Sequence, residues 1–202
     1  MVDALRGKVH QLNISKEGIP KTAVRQMYVT PRGAIGDNQG SPISEDAVLS
    51  LLPLESYMEL ARSDKVRVID RRLQPNLNFK AREGDKPRPG DLGENITTVG
   101  LPVMEVKLGD VFQVGSERNG VVFKISSARR AHGAVTEVFG PAWTDILYGA
   151  GLRTGLEGSL EWGKGGFEAR VLRVGSISAG DSMVRIRSEG NGSEGQRRHW
   201  DY

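Results

Sequence analysis

The sequence predicts a mainly β protein, because its composition and patterning are typical of short strands joined by tight turns. The 202 residues include 26 glycines and only 6% aromatic residues, which suits strands and turns better than a helical bundle. Apolar and polar residues alternate at residues 8–14, 106–115, 120–126, 167–174 and 182–187. A Gly-Asp dipeptide precedes an alternating run at Gly109-Asp110 and again at Gly180-Asp181. Repeated turns of this kind are typical of a closed antiparallel barrel.

The first half of the chain contributes two further strands and a helix. Residues 22–29 alternate and predict the second strand, and residues 33–42 are rich in glycine and proline and predict a loop. An apolar run at 47–52 predicts a buried strand that ends at Pro53, and Pro53 is suited to open a helix. One face of that helix is predicted to pack on the core through Leu54, Tyr57, Met58 and Ala61.

The second half of the chain adds one more short helix, at residues 141–150. One face of it carries apolar side chains, at Trp143, Ile146, Leu147 and Ala150. The length of the chain predicts a single domain. We expect a barrel domain at residues 1–187, followed by a flexible polar tail at 188–202. Residues 62–88 carry nine Arg or Lys against four Asp or Glu, and form either a solvated insertion or a basic rim that attracts an anion.

The composition excludes several classes of function. The absence of cysteine excludes disulfides, thiolate metal sites and a cysteine nucleophile. The net charge of +3 is too small to indicate nucleic-acid binding, and the three histidines lack metal-ligand spacing. No apolar run has the length of a signal peptide or a membrane span. We therefore expect a cytoplasmic protein without nucleic-acid, membrane or metal partners, and its oligomeric state stays open.

A glycine-rich stretch at residues 90–101 is the first candidate for a functional loop. Its glycines, among them Gly93, allow positive φ and a close approach of the backbone to a ligand. Glu94 and Asn95 follow Gly93 and offer both hydrogen-bond acceptors and a donor. The same composition is also compatible with a plain connection between barrel strands.

A second candidate lies at residues 126–132. His132 is compatible with a general acid or base, since its ordinary pKa of about 6.5 suits proton transfer near neutrality. Arg129 and Arg130 each offer a forked donor suited to a carboxylate or phosphate. The alternatives are a structural or exposed histidine and ordinary surface charge.

Several segments together resemble the MOSC domains, the family of the molybdenum cofactor sulfurase C-terminal module. The most specific is PGDLGENITTVGL at residues 89–101, followed by KLGDVFQVG at 107–115. Four more segments are similar to the family in its order, at residues 18–24, 33–40, 45–60 and 169–186. The resemblance implies a MOSC-like antiparallel β-barrel with a few short helices, and covers nearly the whole chain.

The resemblance also implies one site at the mouth of the barrel. Its expected ligand-binding residues are Lys21, Asp37, Gln39, Gly93, Asn95, Arg129 and Arg130, and its expected catalytic residues are His132 and Glu94. The chain departs from the family at the cysteine that is tied to sulfur or molybdenum chemistry. The matching dipeptide here is Ala131-His132, and the family's histidine after the Gly-Asp-x-Gln turn is also missing.

Two functions follow from this combination of likeness and departure. The first is a repurposed biosynthetic enzyme that binds a small anionic organic molecule and uses His132, Glu94 and Arg129 for acid-base and anion-holding chemistry. The second is a module that binds or carries molybdenum cofactor without catalysing a reaction. Whether the protein is an enzyme, and whether it holds this cofactor, the sequence leaves open.

Overall fold

The computed structural model describes residues 5–38, 48–68 and 84–188. The strands are β1 Arg6–Ile14, β2 Thr22–Val24, β3 Gln26–Thr30, β4 Gly33–Ala34, β5 Leu49–Pro53, β6 Ile96–Val99, β7 Val111–Val114, β8 Val121–Ala128, β9 Phe167–Arg173, β10 Gly175–Ser178 and β11 Ser182–Arg187. The helices are α1 Leu54–Arg62, α2 Gly133–Phe139 and α3 Ala142–Tyr148, and a 3₁₀ turn covers Val103–Glu105.

Seven strands close into a barrel, in the order β11-β7-β8-β9-β5-β6-β1, with β1 pairing again with β11. β2 extends the sheet beyond β1, and β10, β3 and β4 form a separate three-stranded sheet. The predicted mainly β barrel is therefore confirmed. One pair, β5 with β6, is parallel, whereas every other pairing in the sheet is antiparallel. The long connection through α1 provides the crossover that a parallel pair requires.

The two Gly-Asp turns use the same local device. Asp110 accepts a hydrogen bond from the Lys107 amide, and Asp181 accepts one from the Ser178 amide, each three residues earlier. Gly109 and Gly180 both adopt positive φ, near 90°. These turns lead into β7 and β11, which pair with each other. The predicted role of the repeated dipeptide in the barrel turns is thus confirmed.

The prediction of one strand at residues 22–29 is wrong. The chain forms β2 and β3 there, which belong to different sheets because β2 pairs with β1 and β3 pairs with β10. The end of the glycine-rich stretch is also more than a connection, since residues 96–99 form the barrel strand β6. α2 was not expected from the sequence.

The predicted buried face of α1 is only partly correct. Tyr57 is buried, but Met58 is 51% exposed and Ala61 is also exposed. The buried side chains are Ser56, Tyr57 and Leu60. The helix is rotated relative to the prediction so that Tyr57 and Ser56 donate hydrogen bonds inward. On α3, Trp143 and Leu147 are buried as predicted, whereas Ala150 lies beyond the helix and is exposed.

Two apolar clusters lie on opposite sides of the barrel wall. The interior cluster includes Leu12, Phe112, Phe123, Phe167 and Ala169. The second cluster joins the three helices to the outside of the wall, through residues that include Leu52, Tyr57, Leu92, Trp143 and Tyr148. Successive side chains of a strand point to opposite faces, so β9 directs Phe167 and Ala169 inward and Glu168 toward the helix side.

Some of the predictions fall on parts of the chain that the structure does not describe. Gln39, most of the basic stretch (69–83) and all but the first residue of the predicted tail (189–202) lie outside the described residues. The predicted domain boundaries therefore stay predictions. In the described segments, no helix is both long enough and apolar enough to cross a membrane.

Candidate functional site

Glu94 is a buried hydrogen-bond acceptor at the centre of the site. Its Oε2 accepts a bond of 2.7 Å from the Tyr57 hydroxyl of α1. Its Oε1 accepts bonds from the Thr97 hydroxyl at 2.7 Å, the Gly90 amide at 2.8 Å and the Asn13 side-chain amide at 3.3 Å. The residue is 0% exposed. Glu94 thus joins β1, β6, α1 and the glycine-rich loop, which favours a positioning role over its predicted acid-base role.

Asn95 connects this centre to the Lys21–Asp37 ion pair. Its side-chain amide donates a 2.8 Å bond to Asp37 Oδ2, and the same oxygen lies 2.7 Å from Lys21 Nζ. Asn95 Oδ1 in turn accepts bonds of 3.2 Å from the amide and hydroxyl of Ser50 on β5. The two charged side chains of the pair are 7% and 0% exposed. Burial lowers the pKa of Lys21, while Asp37 opposes that effect and Arg129 adds to it.

The glycines of the loop allow the backbones to pack closely. Gly90 has a φ of +96°, and a Cβ there would lie 2.5 Å from the carbonyl oxygen of Lys21. The Gly90 carbonyl accepts a 2.9 Å hydrogen bond from the Lys21 amide. At Gly93 a Cβ would lie 2.5 Å from Ile19 and 3.6 Å from the Arg129 guanidinium. Glycine at position 90 therefore allows the Lys21 backbone to pack against the loop, and glycine at position 93 allows Ile19 to do so, beside Arg129.

Arg129 brings a buried guanidinium into this cluster immediately after β8. The residue is 4% exposed, and its Nη2 donates to the carbonyl oxygen of Leu92 in the loop. Its Nη1 is buried and meets no described residue in hydrogen-bond geometry, although the Tyr148 hydroxyl lies close enough to the guanidinium to interact with it. Burial acts to lower the pKa of Arg129, but the acidic groups around it, Tyr148, Glu168 and Glu94, outweigh burial and raise it. A buried cationic donor without a partner is costly, and such groups call for an explanation.

His132 and Arg130 lie close to Arg129 in the chain but in more open surroundings. His132 is exposed and caps α2, with Nδ1 accepting a 3.3 Å bond from the Ala134 amide. Although the residue as a whole is exposed, partial desolvation of the ring and then the charge of Arg129 lower the pKa of His132, and Glu137 opposes them, so the imidazole is mainly neutral at pH 7. Arg130 is exposed, and its backbone bridges to Thr154. The buried member of the arginine pair is therefore Arg129.

Glu168 is a residue of this cluster that the sequence analysis missed. In β9 it pairs with Ser50 of β5 and with Ser127 of β8, which places it between the Asn95 network and Arg129. Burial raises the pKa of Glu168 to about 7, although Arg129 and Lys21 act to lower it. In the sequence, Glu168 is one of several polar residues in an alternating strand. The only feature that could have singled it out was its position next to the apolar Phe167.

The structure brings most of the predicted site residues together, although they are distant in sequence. Lys21, Asp37 and Asn95 are joined by direct bonds, and Gly93 and Glu94 lie beside Arg129. Their roles toward a ligand stay predictions, as does that of Gln39. No set of His, Cys, Asp or Glu side chains within the described segments could hold a metal ion.

Three solved structures share the fold of this chain at low sequence identity. YiiM from Geobacillus stearothermophilus has a TM-score of 0.57 at 21% identity, over 90% of this chain and 75% of its own. The YuaD protein from Bacillus subtilis has a TM-score of 0.56 at 15% identity, over 93% of this chain and 100% of its own. YiiM from Escherichia coli has a TM-score of 0.52 at 21% identity, over 93% and 72%. No curated protein matches the chain.

The family relationship rests on a sequence match. The model of the MOSC domain matches residues 38–184, which include the glycine-rich loop, Arg129 and Glu168. This match covers well over half of the 202 residues. The chain therefore belongs to the MOSC domain family.

Proposed function

We propose that this protein binds a small organic anion through Arg129 and Lys21. The observation that carries the proposal is the buried Nη1 of Arg129, which lacks a partner among the described residues. A carboxylate or phosphate oxygen would complete the hydrogen bonding of that nitrogen and neutralise part of the buried charge. Lys21 adds a second positive charge near Arg129, since the charge of Arg129 acts on it, and this charge is shared with its partner Asp37.

The proposed function is that of a repurposed enzyme, with His132 moving a proton of the bound molecule. The imidazole is mainly neutral near pH 7 because burial and Arg129 lower its pKa, so it is available as a proton acceptor. Because Nδ1 accepts the α2 cap bond, the neutral ring carries its hydrogen on Nε2, so Nε2–H would donate to the ligand and a proton taken up by the ring would enter at Nδ1 in place of the cap bond. Arg129 would hold the anionic group while His132 acts beside it.

We expect Arg129→Met to weaken the binding of sulfate and benzoate about ten- to a hundredfold. Losing a charge-assisted hydrogen bond to a bound anion costs roughly 1.5–3 kcal/mol, and this range corresponds to such a change in Kd. The two probes represent an inorganic dianion and an organic carboxylate. Isothermal titration calorimetry at constant pH and ionic strength measures both affinities.

Arg118→Met is the matched control for this experiment. Arg118 is an exposed arginine between β7 and β8, so its replacement removes the same charge at the opposite end of β8 from Arg129. We expect both probes to bind this variant as they bind the wild type. Equal weakening in the two variants, or no loss in Arg129→Met, would show that the anion does not lie on Arg129.

A second candidate function is that of a molybdenum cofactor carrier. The buried cations fit the phosphate of that phosphorylated pterin. The donor set does not fit a thiolate-ligated metal, because the chain has no cysteine and the matching position is His132. The residues therefore fit one end of the cofactor only, and we assign no reaction step to the metal.

Metal analysis of the purified protein separates the two candidates. We expect molybdenum far below one atom per chain, because no thiolate is available to hold it. Inductively coupled plasma mass spectrometry after expression in a host that makes the cofactor provides the measurement. Molybdenum near one atom per chain, lost together with a bound pterin in Arg129→Met, would favour the carrier.

A further inference from the structure

We propose that Glu168 is the carboxyl group that exchanges a proton with the anion bound at Arg129, and that anion binding itself loads this carboxyl with a proton. The inference rests on the proposed function, because it requires an anion on Arg129 and Lys21. It replaces Glu94 with Glu168 as the acidic partner of His132.

The pairing register of the barrel strands supports the assignment of this role to Glu168. Residues that pair directly on neighbouring antiparallel strands share a face of the sheet, so Glu168 lies on the same side as its partners Ser50 and Ser127. Ser50 binds Asn95, whose amide binds Asp37 of the Lys21 ion pair. Two residues beyond Ser127, the chain reaches Arg129, whose amide donates to the Gly166 carbonyl. Glu168 is thus flanked by the two cations.

Glu94 is unsuited to the same role because its carboxylate is already committed. It accepts four hydrogen bonds from protein donors and is 0% exposed. Proton transfer to it would require breaking bonds that join β1, β6 and α1. Glu168 is partly exposed and charge-coupled to Arg129.

The proposed step is a proton transfer that needs no other reactant. The Glu168 carboxyl, protonated when the anion binds, first gives its proton to one atom of the ligand. The resulting carboxylate then takes a proton from a C–H, N–H or O–H group at a second atom of the same ligand, and the electron pair of that broken bond stays on the ligand. The substrate class is accordingly an organic acid or phosphate ester with an exchangeable proton.

The charges that face Glu168 predict coupling between binding and protonation. Arg129 after β8 and Lys21 before β2 both stabilise its carboxylate, and Tyr148 of α3 acts on it as well. A bound anion would neutralise the charge of Arg129 and add its own negative charge, whereas Lys21 is already paired with Asp37. Both effects favour the protonated carboxyl, so the anion and a proton bind together.

The coupling is measured by titrating sulfate, which remains a dianion, into the wild type at pH 8 in HEPES and in Tris. The difference in observed heat between buffers of unequal ionisation enthalpy yields the protons taken up. We expect about 0.5–1 proton per sulfate, and an affinity that falls up to about tenfold per pH unit above pH 7. The lowered pKa of His132 places its titration below this window, and the Glu168→Gln variant separates any uptake by Lys21, whose pKa burial also lowers.

Two variants assign the proton to Glu168. Glu168→Gln should bind sulfate without proton uptake, whereas Glu168→Asp, which keeps a carboxyl group, should retain uptake. The matched control is Glu137→Gln, which removes an exposed carboxyl from α2 and should behave as the wild type.

Proton uptake that persists in Glu168→Gln, or sulfate binding without uptake in the wild type, overturns the assignment and leaves the proposed function intact. Failure of sulfate to bind, or equal binding by Arg129→Met, instead contradicts the proposed function and the inference together.

A measurement without ligand tests the same carboxyl. Its folded pKa of about 7 lies above its ordinary value of 4.5, so its stabilising contribution is complete below pH 4.5 and is lost as the pH rises through about 7. The melting temperature of Glu168→Gln should therefore rise relative to the wild type between pH 5 and pH 8. A constant difference across that range overturns the assignment.

Discussion

Replacing Glu94 with alanine is expected to lower the free energy of unfolding by roughly 3–5 kcal/mol, the range for breaking a buried charged network. The substitution leaves four donors without their acceptor, at Tyr57, Thr97, Gly90 and Asn13. Each of these groups is buried, so water cannot replace the carboxylate without opening the contact between barrel and helix. The measurement is urea denaturation followed by circular dichroism.

Two further variants separate the network from the loss of a charge. Tyr57→Phe removes only one of the four donors and is expected to cost about 1–2 kcal/mol. Glu137→Ala removes an exposed carboxyl from α2 and is expected to leave stability within about 0.5 kcal/mol of the wild type. Wild-type stability in Glu94→Ala would contradict the positioning role and return Glu94 to the acid-base role that the sequence predicted.

Gly90→Ala is expected to lower the free energy of unfolding by about 2–4 kcal/mol, from backbone strain and overpacking together. Gly90 has a φ of +96°, a conformation that alanine adopts only with strain. The added Cβ would also lie 2.5 Å from the Lys21 carbonyl oxygen and 3.2 Å from Asn13 Oδ1. Because the backbone of Lys21 cannot rotate away as a side chain can, it must shift, and this is expected to disturb the pairing of Lys21 with Asp37.

Gly100→Ala provides the matched control for the clash. Gly100 also has a positive φ, of +68°, but a Cβ there would have no heavy atom within 4 Å. Its replacement should therefore cost only the backbone term, about 1–2 kcal/mol. Gly90→Ala should in addition weaken sulfate binding, whereas Gly100→Ala should not. Equal stabilities in the two variants would show that the Lys21 carbonyl is not tightly packed against Gly90.

Much of the barrel could be predicted from local pattern. The alternating segments form β1, β7, β8, β9 and β11, because each strand has one face toward the interior cluster and this burial imposes period two on the sequence. The Gly-Asp turns were predictable because the aspartate side chain accepts a hydrogen bond from the backbone amide three residues earlier. This bond is local to the turn and does not depend on the rest of the fold.

Local pattern failed where burial depended on a partner elsewhere in the chain. Residues 22–29 were predicted as one strand because their alternation is continuous, but β2 and β3 pair with different strands. Met58 matched an apolar helical face and is nevertheless 51% exposed, because the orientation of α1 follows the bonds of Tyr57 and Ser56 to distant groups. The parallel pairing of β5 with β6 was likewise invisible, since neighbours in a sheet are chosen by the whole topology.

The sequence by itself determined the barrel class, the glycine-rich loop, the absence of a thiolate and the candidate arginine. These features depend on residue type and short spacing, which the chain carries locally. Only the tertiary structure decided that Arg129 rather than Arg130 is buried, that Glu94 is enclosed by four donors, and that Glu168 faces the cations. Burial, a neighbouring charge and an unpaired donor are relations between distant segments, and they exist only once β5, β8 and β9 lie side by side.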